Sequence, residues 1–152
     1  LRNTAYGSLC KQTSIKPGTR LEKPLVDIYL KDDDLNDPLL TRDRIKLLNI
    51  IDSKDLDLMI DLTFNINKIL KSFFKKIQLD LIDFKLEFGY NSKNQITLAD
   101  EISPDNCRLW DLYQENDTIV SLDKDRFRND LGDLIEAYSE IHRRIKDFLQ
   151  PN

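Results

Sequence analysis

Glycine is scarce in this 152-residue chain: four residues, at positions 7, 18, 89 and 132, too scattered to build a G-x-G-x-x-G turn or a Walker loop. Two cysteines, Cys10 and Cys107, cannot form a disulfide framework or a zinc site, so a reducing compartment, the cytoplasm, is the default. Neither has a His at a motif spacing, which leaves thiol catalysis nothing to rest on. The single histidine, His142, has no second His or Cys at ligand spacing and reads as solvated or packed. No apolar run approaches the ~18–20 residues that cross a bilayer, and no signal peptide is visible, so no membrane partner is expected. Positive charge is not in excess: 23 Lys+Arg against 27 Asp+Glu leave a net charge of -4, which argues against an electrostatic nucleic-acid binder. An initiating Met is missing too. The chain opens Leu1-Arg2-Asn3, as expected of a fragment.

What is present suffices for one domain. The hydrophobic content of 40% is too high for a disordered tail. A chain of about 150 residues buries roughly 68–70% of its unfolded surface. Residues 1–40 read as irregular, with turn signals at Gly7-Ser8 and Pro17-Gly18 and one short, buried strand over Leu25–Leu30. A brief helix is predicted from Thr41. A long one starts at Ser53 as N-cap, with Leu56, Met59, Ile60, Thr63, Ile66, Ile69, Leu70, Phe73 and Ile77 at helical spacing. The period then changes from 3.6 to 2: Ile82, Phe84, Leu86 and Phe88 alternate with Asp83, Lys85 and Glu87. After Asn91-Ser92-Lys93-Asn94, the segment Gln95–Leu98 reads as the returning strand of a hairpin. A loop-rich stretch runs to Asp123. A last helical region breaks near Gly132 and sets Leu134, Ile135, Tyr138, Ile141, Ile145 and Phe148 on one face. Strands and helices are grouped, so α+β is the expected class.

The strand Leu81–Gly89 is the most informative segment. Alternation puts Asp83, Lys85 and Glu87 on one face. That row is either the wet face of a sheet or a carboxylate–ammonium–carboxylate row able to hold Mg²⁺ beside an anionic substrate. Asp100 supplies a second carboxylate. Strict alternation puts it on the apolar face with Ile96 and Leu98, so it reaches Glu87 only if the strand ends or bulges near Ala99. Arg108, near Trp110, belongs either to a capped loop with a buried aromatic or to an anion site, and Arg128 either to a solvated helical turn with local ion pairs or to a turn that aims it into a cleft. Asp32, Asp34 and Asn36 copy the start of a calcium loop, but Asp37 stands where Gly is needed, and that reading is rejected.

Taken together the motifs resemble the SAICAR synthetase family, phosphoribosylaminoimidazole-succinocarboxamide synthase. Leu81-Ile82-Asp83-Phe84-Lys85-Leu86-Glu87-Phe88-Gly89 is similar to one family signature. Asp100–Asp105 with Cys107–Asp111 resembles a second block, and Leu122–Arg128 a third. Arg2-Asn3-Thr4-Ala5-Tyr6-Gly7-Ser8 resembles the end of another signature, with Tyr6 where Thr or Ala is usual. Asp37-Pro38 resembles the family's acidic turn, with Asn36 where His is common.

The resemblance implies an α+β lobe of the ATP-grasp or kinase-like kind, an antiparallel sheet with flanking helices. It implies that residues 1–152 form the C-terminal substrate- and metal-binding lobe, with a Gly-rich ATP lobe absent before Leu1. The implied activity is an ATP-dependent ligase of purine biosynthesis that joins L-aspartate to a carboxyaminoimidazole ribonucleotide through an acyl phosphate. Its cofactors would be ATP and Mg²⁺, and its partners those small molecules and, as in many family members, a second copy. Glu87 and Asp100 would hold the metal, and Lys85 with Glu87 would meet the nucleotide. Lys85 and Asp37 would be catalytic. Arg2, Ser8, Asp105, Arg108 and Arg128 would bind substrate, while Asp83 would be a support residue. Two other readings stay open: a catalytically incomplete piece that binds only Mg²⁺ and ribonucleotide, and an unrelated binding module.

Overall fold

The computed structural model describes residues 1–112, 120–123, 125 and 134–150. A four-stranded antiparallel sheet forms its centre: β1 (Arg2–Thr4), β2 (Arg20–Leu25), β5 (Leu79–Phe84) and β8 (Cys107–Asp111), in the order β2-β1-β5-β8. Two small sheets stand beside it, β3 (Ile28–Tyr29) with β4 (Leu39–Leu40), and β6 (Phe88–Tyr90) with β7 (Ile96–Leu98). The helices are α1 (Ser8–Gln12), α2 (Arg42–Leu47), α3 (Ser53–Lys76) and α4 (Leu134–Leu149). The α+β class, with an antiparallel sheet and flanking helices, is what forms. Among the described residues no helix is long and apolar enough to cross a membrane.

Each element has a local cause. The α2 helix starts where expected, with Thr41 Oγ accepting from the Arg44 amide at 3.2 Å. The α3 helix is capped one residue earlier than its sequence suggests. Asp52, not Ser53, has the extended backbone of an N-cap, and its carboxylate accepts from the Lys54 amide at 2.7 Å. The buried stripe of α3 includes Leu56, Thr63, Asn67 and Phe74, while Ile69 is 68% exposed. On α4 the buried positions are Ala137, Ile141 and Arg144, and Ile135 faces water. Core packing selects the face in both helices, and a branched aliphatic residue at the edge of the stripe loses its place to it. The break near Gly132 lies outside the described residues.

The first forty residues are less irregular than expected. They contribute two strands of the main sheet, and the predicted buried strand Leu25–Leu30 divides between β2 and β3, with Leu25 37% exposed at the sheet edge. Pro24 is tolerated because β2 is the edge strand of the main sheet among the described residues. The loop-rich region also contains an unpredicted strand, β8, whose five registered pairs make it the longer partner of β5.

The predicted strand Leu81–Gly89 is not continuous. A bulge at Ile82 shifts the register, so that Leu81 opposes Leu109 and Asp83 opposes Arg108. The extra residue lets Leu81 and Phe84 both reach the core while Asp83 meets arginines instead. The strand then stops at Phe84. The Lys85 amide donates to Asn106 O at 2.8 Å, and Glu87 O accepts from the Ala99 amide at 2.8 Å. The backbone has exchanged the main sheet for the β6–β7 hairpin, where Phe88 opposes Leu98.

The core joins Phe74 and Ile77 to Leu79, Leu81, Phe84, Cys107, Leu109, Leu122, Ala137 and Ile141. Burial pushes the Cys107 thiol up to about 12, so it packs as an inert hydrophobe. Two polar ties cross this apolar layer. Arg144 donates to both oxygens of Asp111, at 3.0 and 2.7 Å, and clamps α4 to the end of β8. Asn3 and Asn67 exchange amide hydrogen bonds of 2.8 and 2.9 Å, and Asn3 also donates to Leu81 O at 3.1 Å, joining β1, α3 and β5.

Asn67→Ala removes both reciprocal bonds and takes from the Asn3 side-chain oxygen its Asn67 donor, in a residue only 4% exposed. Such a loss costs about 1–3 kcal/mol. The urea midpoint of the variant is therefore expected to fall at an unchanged slope; an unmoved midpoint would show that the pair does not hold α3 to the sheet.

Candidate active site

The sheet end, the β3–β4 ribbon and the β5–β6 joint enclose a cleft of about 860 Å3. Its walls are mixed. Val26, Ile28, Met59 and Ile60 form an apolar side, and Arg2, Lys85, Glu87, Asp105 and Arg108 lie on the polar side with Ser8 and Asp37.

The polar floor is built from the sheet upward. Asp83, next to the last residue of β5, has Arg2 opposite it on β1 and Arg108 opposite it on β8. The Arg108 Nη1 group donates to Asp83, and Arg2 Nη1 lies 3.6 Å from the same oxygen. Burial pushes the Asp83 carboxyl above its ordinary value, against the opposing pull of Arg108 and Arg2. Its carboxylate ties the two arginines to the sheet. Arg108 also forks onto Asp125, and Asp125 is fixed in turn because its amide donates to Asp123 at 2.8 Å. Burial pushes the Asp123 carboxyl up, while the Leu109 amide donates to it at 2.7 Å.

Arg2 is held on every side. Its Nε donates to Asp27 at 2.7 Å, Nη1 to Tyr6 O at 3.1 Å, and Nη2 to Ser8 Oγ at 2.8 Å and Tyr29 Oη at 3.4 Å. Desolvation works to lower its pKa, but the Asp27 and Tyr29 hydrogen bonds and the two aspartates raise it on balance. Asp27 and Tyr29 were not singled out in the sequence. A charged residue inside the apolar run Leu25–Leu30 was the available signal for Asp27.

A second group gathers at the β5–β6 joint. Lys85 Nζ lies 2.7 Å from Glu87 Oε1, and Lys31 pairs with Oε2. Hydrogen bonds from Lys31 first and Lys85 second hold the Glu87 carboxyl below its ordinary value. Lys31, also missed in the sequence, follows β3 as one lysine among many and becomes distinctive only through this contact. Asp100 comes into the same field. The β7 strand ends at Leu98, one residue before Ala99, which frees Asp100 from the apolar face as the hairpin reading required. Asp100 is held below its ordinary value by hydrogen bonding to Glu101, with Lys85 and Lys31 adding to the effect.

The donor set suits magnesium. Two hard carboxylates stand under the same pair of ammonium groups, and Mg²⁺ takes one or two protein carboxylates beside water and phosphate oxygens. Among the described residues no cluster of three or more His, Cys, Asp or Glu side chains offers a closed cage. Lys31, with a side chain 69% exposed, is the ligand-side cation free to swing away from Glu87.

The other candidates divide. Asp37 lies on the cleft and also serves its own loop, accepting from the Asp32 amide at 3.0 Å with left-handed backbone at Asn36 and Asp37. Asp32 caps the 3₁₀ turn Asp33–Leu35, a structural use that replaces the rejected calcium loop. Asp105 lines the cleft and accepts from Tyr138 Oη of α4 at 3.0 Å. Arg128 lies outside the described residues. His142 is exposed on α4, as its sequence setting suggested.

Known proteins share this fold. The family model for SAICAR synthetase matches residues 1–145. The phosphoribosylaminoimidazole-succinocarboxamide synthase of Prochlorococcus marinus subsp. pastoris is 72% identical over 149 residues, which are 98% of this chain and 62% of that protein. The chain thus spans about three-fifths of the length of the curated relatives it matches. Among solved structures, a SAICAR synthetase in complex with ADP superimposes with a TM-score of 0.87 at 45% identity, over 95% of this chain and 60% of that one. The phosphoribosylaminoimidazole-succinocarboxamide synthase of Ehrlichia chaffeensis gives 0.88 at 38% identity, over 99% and 62%.

The lysine pair makes a pH prediction. Glu87 titrates below its ordinary 4.5 in the folded state, so its ion pairs stabilise the fold fully above 4.5. That contribution is lost as pH falls through the depressed folded value. Replacing Lys31 and Lys85 with Met is expected to return the Glu87 midpoint toward 4.5 in a carboxyl-carbon NMR titration. A midpoint that does not rise would mean the lysines do not set it.

Proposed function

The chain belongs to the SAICAR synthetase family, and on that premise we propose that it acts in the ATP-dependent ligation of L-aspartate to the carboxylate of a carboxyaminoimidazole ribonucleotide. In this reading residues 1–152 are the substrate- and metal-binding lobe, and the ATP-phosphate loop belongs to another part of the enzyme. The observation that carries the reading is convergence. Residues from three separate stretches, Arg2 with Ser8, Lys85 with Glu87, and Asp105 with Arg108, line one cleft.

The division of labour follows from the contacts. Arg2, Ser8 and Arg108 offer donors to the anionic groups of the ribonucleotide, and guanidinium forks suit phosphate and carboxylate. Asp27, Asp83 and Asp125 hold those guanidinium groups in place before substrate arrives. Lys85, 56% exposed, can leave Glu87 and neutralise charge on the substrate carboxylate or the nucleotide. Glu87 and Asp100 would hold Mg²⁺, which when bound supplies charge neutralisation to the phosphate oxygens. Phosphoryl transfer of this kind is largely a matter of positioning and electrostatics. That suits a cleft whose nearby thiol, Cys107, is buried and held protonated. In this reading Asp37, on the cleft, is catalytic, Asp105 binds substrate from the same cleft, and Arg128 completes the substrate-binding set.

In the full-length enzyme, phosphate release from ATP is expected to require both L-aspartate and the ribonucleotide; release that proceeds without aspartate would count against the ligase. Glu87→Gln should abolish magnesium-dependent turnover while leaving circular dichroism and the melting temperature close to those of the parent. A fully active Glu87→Gln variant would remove Glu87 from the metal site.

A further inference from the structure

The loop from β1 to α1 carries one aromatic residue, Tyr6, and it touches both arginines of the cleft. Its carbonyl accepts from Arg2 Nη1 at 3.1 Å. The face of its ring meets Arg108, whose Cζ lies 4.9 Å from the ring centroid, inside the ~6 Å reach of a cation–π contact. Trp110 of β8 braces the ring edge-to-face, at 5.5 Å and 84°. Gly7, with a φ of +60° that side chains rarely adopt, carries the loop past Arg108, whose Nη2 lies 3.4 Å from where a Cβ would stand.

The edges of Arg108 are only partly used. A guanidinium has five N–H donors. Nε and one Nη2 hydrogen go to Asp125 and one Nη1 hydrogen goes to Asp83, which leaves two donors without a partner among the described residues. Carboxylates at the edge fix where the group sits. Those bonds run in the plane of the group and resist displacement out of it less strongly. A ring against one face adds a restraint in that perpendicular direction.

We propose that Tyr6 is a positioning residue that sets the plane of the Arg108 guanidinium, so that its two unused donors engage the anionic group of the ribonucleotide. The identity of the anion rests on the ligase reading above; the positioning rests on the ring, the guanidinium and the glycine alone. Tyr6 acts through Arg108, with the Trp110 indole as its backing.

Two substitutions in the full-length protein separate ring from bulk. Tyr6→Phe keeps the ring, and ribonucleotide KM should stay within about twofold of the parent. Tyr6→Leu keeps volume without the ring and should raise ribonucleotide KM by about 3–30-fold, the reach of a cation–π contact. Its kcat, and its KM for aspartate and ATP, should stay near parental values. In an Arg108→Lys background the Leu effect should vanish, because the two side chains act as one unit. An unchanged ribonucleotide KM in Tyr6→Leu, equal rises in all three KM values, or additivity with Arg108→Lys would each overturn the proposal. A second readout needs no turnover: the ring-current shift of the Arg108 side-chain N–H signals should persist in Tyr6→Phe and be lost in Tyr6→Leu. If the ligase reading fails, no variant turns over while that shift still follows the ring. If the shift ignores Tyr6→Leu, the positioning itself is wrong.

Discussion

A largely buried carboxylate in the middle of a sheet constrains everything around it. Asp83 sits on the central strand β5, and burial disfavours its charge unless cations stand within reach. The sheet supplies one from each side, Arg2 in register on β1 and Arg108 in register on β8. A slip of either neighbouring strand by one residue would move its arginine to the other face and leave Asp83 with a single cation. The same pairing that secures the sheet therefore delivers two guanidinium groups to the cleft. Asp27 and Asp125 each hold a further edge of one guanidinium, which limits the conformational entropy a ligand must remove when it binds.

The bulge at Ile82 makes this compatible with a core. Without it, Leu81 and Asp83 would share a face, and the strand could not bury Leu81 and Phe84 together while exposing Asp83 to arginines. The termination of β5 at Phe84 has a parallel effect. Once Lys85 bonds to Asn106 and Glu87 to Ala99, the charged pair stands at the joint between two sheets. There Lys31, from the β3–β4 ribbon, and Asp100, from the end of β7, come into the same field. Irregular backbone at such a joint aims side chains that a straight strand would spread along one wet face.

The helices secure this arrangement from outside the cleft. Asn67 of α3 bonds directly to Asn3, the neighbour of Arg2, so the long helix restrains the strand that presents the first guanidinium. Arg144 of α4 grips Asp111 at the end of the strand that presents the second. Both ties are buried polar contacts in an otherwise apolar layer, and each holds one arginine-bearing strand against the core.

Much of the local structure was legible in the residues alone. The 3.6-residue stripe of α3, the start of α2 at Thr41, the β6–β7 turn and the grouping of strands and helices follow from interactions a few residues apart. The motif residues Arg2, Ser8, Lys85, Glu87 and Arg108 were visible as chemistry of the right type and order. Tertiary structure decided the rest. The cap at Asp52, the exposure of Ile69 and Ile135, the existence of β8 and the bulge at Ile82 depend on partners distant in sequence, whose packing outweighs local preference. Asp27, Lys31 and Tyr29 belong to the site for the same reason. A lone Lys or Tyr carries no signal in its own segment, and only the folded sheet brings it within hydrogen-bond distance of the arginine or carboxylate that gives it a role.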